Sequence, residues 1–123
     1  MSNTNTQNVA ELDAQLNAQV LAGDILGAFE RFYAEDVTMQ ENSLPPLVGK
    51  AANRKHEEEF VGAVEQFHGA KVLASAVNGD ISFSEWEMDI TFKGGARVVM
   101  AQTAVRRWKE GQIVNERFYY SKG

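Results

Sequence analysis

Two acidic residues, Glu41 and Glu116, and one histidine, His56, stand where a small protein would need them for proton chemistry. Glu41 closes a short β-compatible stretch, Val37-Thr38-Met39-Gln40, just before a Pro45-Pro46 loop. His56 and Glu57 fall in the second turn of the helix-like run that Gly49 opens. Glu116 alternates with Val114, Phe118 and Tyr120 near the end of the chain. A carboxylate acts as a general base near neutral pH only if burial lifts its pKa from about 4.3. Apolar walls from Trp86, Met88 and Phe118 are candidates to supply that desolvation. A histidine paired with a carboxylate would complete an acid–base couple suited to hydration, dehydration or enolisation.

Each of these residues also has a plainer reading. A His-Glu-Glu-Glu run at 56–59 is an ordinary solvated helix face, and Glu41 beside a proline loop needs no function. Reversed parity on the last strand would put Ile113, Asn115, Arg117 and Tyr119 inside and turn Glu116 outwards. Trp86, Met88, Ile90 and Phe92 read first as barrel core, with Trp86 at the lip of any pocket. Gln102, polar between Met100 and Ala104, is either a substrate hydrogen-bonder or a partner for Glu116. His68 reads as a surface residue in a connection. The histidine and its neighbouring acids have no recognised metal-ligand spacing, so no metal is expected.

The elements that would position these groups follow from periodicity. Val9, Leu12, Leu16 and Val20 recur at helical steps. Gly23-Asp24 stops that helix and caps a second, which buries Ile25, Leu26, Phe29 and Phe32. A strand over 36–41 precedes a third helix from Gly49 to about Val64. Beyond Gly69 the pattern alternates. Turns at Asn78-Gly79-Asp80, Lys93-Gly94-Gly95 and Glu110-Gly111 divide it into four antiparallel strands. The apolar phase flips between Ile81/Phe83 and Trp86/Met88, which predicts a β-bulge at Ser84-Glu85. Three helices against a long, bent antiparallel sheet make an α+β fold, a cone with an open mouth.

Composition narrows the classes. The 123 residues make one domain, expected over 9–121 with a frayed tail at 1–8. There are no cysteines, which excludes disulfides and thiolate chemistry. Net charge is −5, with 11 acids against 4 bases in residues 1–69. Nucleic acid is therefore not an expected partner, and an anionic ligand is disfavoured. No apolar run reaches the roughly 20 residues of a membrane span. A cytoplasmic location is the expectation.

Phe-Tyr-Ala-Glu-Asp-Val-Thr at 32–38, Leu-Val-Gly-Lys-Ala-Ala at 47–52 and the closing Arg-Phe-Tyr-Tyr at 117–120 resemble the nuclear transport factor 2-like superfamily, in its SnoaL-like branch. The resemblance covers about residues 9–121. It implies a conical α+β barrel, a deep apolar pocket and, commonly, a homodimer formed through the sheet; the expected ligand is a small apolar molecule, and no cofactor is expected. Against the steroid isomerase pattern, Glu41 falls on the catalytic carboxylate, and His56 and Glu57 fall on two pocket aromatics. Gln102, Glu116, Phe118 and Tyr120 match pocket-facing positions. The enolate-holding Tyr and acid of the isomerases are replaced by Leu16 and Ala104, so steroid isomerisation is not expected. Two functions remain. One is a cofactor-free lyase, isomerase or hydrolase using Glu41, His56 and Glu116, with Glu57, Trp86, Met88, Gln102, Phe118 and Tyr120 around the substrate. The other is a non-catalytic ligand-binding or dimeric module.

Overall fold

A computed structural model describes the backbone of residues 2–121 and the side chains of residues 8–121. The order is α1 (Ser2–Leu21), α2 (Ile25–Phe32), β1 (Tyr33–Glu41), β2 (Leu47–Val48), α3 (Lys50–Ala63), β3 (Val64–Asn78), β4 (Ile81–Phe92), β5 (Arg97–Lys109) and β6 (Gln112–Tyr119). Helical backbone is described from Ser2, ahead of the Val9 start that the apolar periodicity marks. No helix among the described residues is long and apolar enough to cross a membrane.

Local chemistry explains the helix boundaries. Gly23 adopts φ 91° at the end of α1. The Asp24 side chain then accepts from the Gly27 amide at 3.0 Å and caps α2. Gly49, with φ 98°, turns the chain into α3. The buried residue of α3 is polar. Asn53 donates to the carbonyls of Leu47 and Gly49 at 2.9 and 2.8 Å, fastening the helix to the loop before it. The apolar face expected there is thin: Ala52 is exposed and Phe60 half-buried.

The sheet has six strands in the order β2-β1-β6-β5-β4-β3 and is open, with β2 and β3 at its edges. It is mixed rather than purely antiparallel, because β1 runs parallel to β6. The meander ends at β6 with one unpaired edge. β1, emerging directly from α2, satisfies the backbone groups along it.

Three expectations are corrected. The bulge predicted at Ser84-Glu85 is absent, and β4 pairs with β5 without a break from Ile81↔Arg107 to Thr91↔Arg97. The irregularities lie instead in β3, at Val64/Gln66, Phe67/Gly69 and Val72/Ala74, where they bend the sheet. With β4 unbroken, Ser82 and Ser84 face inwards and Phe83 outwards. The apolar pattern misleads because this part of the core is polar. Secondly, β3 begins at Val64, so His68 lies in a strand, half-buried, with Nε2 2.6 Å from Thr91 Oγ1. Thirdly, Trp86 is only 1% exposed and forms the deep wall rather than the lip.

Two apolar clusters make up the core. One joins Val9, Leu16, Phe29, Phe32, Val37, Met39, Trp108 and Ile113. The other joins Trp86, Met88, Ile90 and Ala104. Val20 and Phe118 pack against both, and a hollow is left between them.

Candidate functional site

The hollow is a cavity of about 320 Å³, at the lower end of small-ligand sites. Its apolar wall includes Val20, Met39, Phe60, Met88, Met100 and Phe118. Glu41, His56, Glu57, Trp86, Gln102 and Glu116 line the same space. Residues from β1, α3, β4, β5 and β6 therefore converge on one cavity. Tyr120 stands just outside it and donates its hydroxyl to Glu41 Oε1 at 3.1 Å. Burial and the adjacent Glu41 raise the pKa of that phenol.

The mouth and the floor differ. At the mouth the Glu41 and His56 side chains are 43% and 58% exposed, with His56 Nε2 3.8 Å from Glu41 Oε2. That is an ion-pair distance and too long for a hydrogen bond. At the floor Glu116 is fully buried, and both its oxygens are engaged. Tyr33 donates to Oε1 at 2.6 Å, and Arg106 Nε donates to Oε2 at 2.7 Å. The Arg106 guanidinium continues to Asp13 and Asn17 on α1, at 2.8 Å each. Ser82 donates to Asp13 at 2.8 Å and accepts from the Trp108 indole at 2.9 Å. Ser84 accepts from Asn17 at 3.1 Å.

Charge explains why this buried network holds. Burial alone would depress the pKa of Arg106, but Glu116, Tyr33 and Asp13 more than offset it and raise the value. Burial, and then the Glu116 charge, push Tyr33 well above the usual phenol range, so it remains a donor. A buried ion cluster is tolerable only when its hydrogen bonds are met, and here they are.

Glu57 differs from the other acids. It is half-buried in the cavity wall, and among the described residues no hydrogen bond or cation reaches its carboxyl. Burial, then the charges of Glu116 and Glu41, lift its pKa from 4.5 to about 7. Glu57 therefore changes charge near neutral pH. Trp86 contributes a buried indole N–H with no hydrogen-bond partner among the described residues. No group of three His, Asp or Glu side chains able to hold a metal occurs among the described residues.

Several of these residues escape sequence reasoning. Arg106 shares the inward parity of Gln102 and Ala104 on β5, a signal that was present. Asp13 and Asn17 lie on the same face of α1 as Val9, Leu16 and Val20. The resemblance places Glu57 beside the substrate, but its role as a titrating group follows only from the packing of α3 over the cavity, which half-buries Glu57 and exposes Glu58 and Glu59.

Helices and a bent sheet enclosing a hollow of this kind define the nuclear transport factor 2-like α+β cone. Within it, the sequence matches the SnoaL-like domain over residues 5–120, and the chain belongs to that family. A crystal structure from Mesorhizobium loti, provisionally assigned as a SnoaL-like polyketide cyclase [carbohydrate phosphatase], is 31% identical. It aligns over 91% of this chain and 98% of its own, with TM-score 0.81. A provisionally assigned isomerase from Bacillus subtilis is 17% identical and aligns over 94% and 87%, with TM-score 0.77. That likeness concerns the fold alone. No curated protein matches the chain.

Proposed function

We propose that this SnoaL-like chain is a cofactor-free pocket enzyme that moves a proton on a small, largely apolar substrate, as an isomerase, cyclase or lyase does. The observation that carries this reading is the Glu57 carboxyl, unpartnered in an apolar-walled cavity and half-ionised near pH 7. A group poised at the working pH is the best compromise between being in the right form and driving the transfer. Glu116 has a different role from the one expected of it. Both its oxygens accept strong hydrogen bonds, so it holds the floor and sets the field at Glu57. Glu41 and His56 at the mouth return the proton to water. Gln102 and the free Trp86 N–H offer hydrogen bonds to a substrate oxygen. The cyclase assignment of the Mesorhizobium loti structure supports chemistry of this kind.

The proton transfer is testable without the natural substrate. Small cyclic ketones incubated with the protein in D2O should gain deuterium at the α-carbon, followed by NMR. The rate should climb with pH through about 7, as Glu57 ionises. Exchange no faster than buffer, across the panel, would rule the reading out.

A dimer through the sheet is a second part of the proposal, compatible with either a catalytic or a binding role. The face turned from the helices carries Phe83, Val99 and Tyr119 at 38, 63 and 44% exposure. Phe83 pairs across to Val105, and Tyr119 lies beside Thr103. Exposed apolar residues gathered on one face mark an interaction surface. Sedimentation should give twice the 13.6 kDa chain mass. The double variant Phe83→Glu/Val99→Glu should sediment as a monomer, and a monomeric parent protein at micromolar concentration ends this part of the proposal.

A further inference from the structure

We infer that the ligand of this cavity is a small apolar amine, whose ammonium group sits against the Glu57 carboxylate. The inference rests on the proton-moving reading of the same cavity and adds the chemical class of its substrate.

Charge balance in the cavity is the first argument. Three carboxylates, Glu41, Glu57 and Glu116, line it, and a fourth, Asp13, lies one hydrogen bond behind Arg106. Arg106 is the single Lys or Arg among the described lining residues. Its guanidinium is already committed to Glu116, Asp13 and Asn17. No free Lys or Arg is left to receive an anionic ligand, and the one histidine of the lining, His56, stands at the mouth 3.8 Å from the Glu41 carboxylate. A carboxylate or phosphate ligand would enter a space where acids outnumber bases, and repulsion would add to its desolvation.

The second argument is the unmet demand of Glu57. The Glu57 carboxyl is half-buried in an apolar wall and has no protein partner among the described residues, and an entering N–H cation would give it a charge-assisted hydrogen bond there. The walls suit a cation as well. Phe60, Trp86 and Phe118 present aromatic rings, and Met39, Met88 and Met100 present polarisable thioethers. An ammonium flanking Glu57 would also favour its ionised form at neutral pH.

Isothermal titration with 2-phenylethylamine, 2-phenylethanol and 3-phenylpropanoate tests this directly. The amine should bind roughly tenfold or more tighter than the isosteric alcohol, and the carboxylate should not bind. Near pH 7, amine binding should release about half a proton, read by repeating the titration in buffers of different ionisation enthalpy. The alcohol should release none. Glu57→Gln should erase the preference for the amine while retaining alcohol binding, which shows that the cavity is intact. Equal binding of amine and alcohol, an amine preference that survives in Glu57→Gln, or no binding of any probe overturns the inference. Ketone exchange does not require nitrogen. Failure of the amine with exchange intact therefore retires the substrate class alone, whereas loss of exchange retires the proton-moving reading.

Discussion

Glu57→Gln should make the protein more stable at pH 8 and at the same time remove its proton-transfer chemistry. In the unfolded chain this carboxyl titrates near 4.5, and in the folded cavity at about 7. Between those values the folded state holds the proton more tightly than the unfolded one. The stability linked to the group is therefore present in full below pH 4.5 and is lost as pH rises through 7. At about 1.4 kcal/mol per pK unit the whole span is roughly 3 kcal/mol, and residual solvent access lowers it to about 1–3 kcal/mol. Glutamine does not ionise, so it avoids the loss. Urea unfolding at pH 5 and pH 8 should show the variant gaining on the parent protein only at the higher pH. Ketone exchange by the same variant should fall by about 10²–10⁴-fold. The two results together describe a residue whose burial costs stability for the sake of its chemistry. A stability difference that does not change with pH would show that the Glu57 carboxyl is ordinary.

Arg106→Leu should be among the most damaging single changes in the molecule. The guanidinium, 4% exposed, is the cation that Glu116 and Asp13 share in the core. Removing it leaves two buried carboxylates without a counter-charge, and breaking such a pair costs about 3–5 kcal/mol. A domain of this size has a total stability of about 5–15 kcal/mol. The urea midpoint should therefore drop sharply. Arg106→Lys should recover only part of the loss, since one ammonium cannot replace a fork that reaches Glu116, Asp13 and Asn17 at once. The triple variant Asp13→Leu/Arg106→Leu/Glu116→Leu should be more stable than Arg106→Leu, because no orphaned charge remains. A cost below about 1 kcal/mol for Arg106→Leu would mean that the network does not hold α1 to the sheet.

The buried network also marks where pattern reading fails. Ser82 and Ser84 occupy inward positions on β4 because Asp13 and Asn17 wait for them on α1. A reader who expects an apolar core sees a phase error there and inserts a bulge. The pair Arg106–Glu116, neighbours across β5 and β6, has the same cause. On either strand the residue is an isolated charge, and only the pairing register makes the two into one feature. On β6 the inward parity of Glu116 and Phe118 holds. It slips near Ile113, where the β5–β6 register shifts at Arg107/Trp108.

What the sequence determined by itself is what depends on near neighbours along the chain. The 3.6-residue recurrence of α1, the Asp24 cap, the Gly49 turn and the hairpin turns at Asn78-Gly79 and Glu110-Gly111 are local events, and together they specify the α+β order. Only the tertiary structure decided which acid titrates near neutrality. Glu57, Glu58 and Glu59 are chemically identical in sequence. Desolvation and the field of Glu116, 59 positions further along the chain, arise only when α3 closes over the sheet. The same holds for Arg106, whose partners lie 10, 89 and 93 residues away. Electrostatics acts through space, and a sequence records no distances except those along the chain.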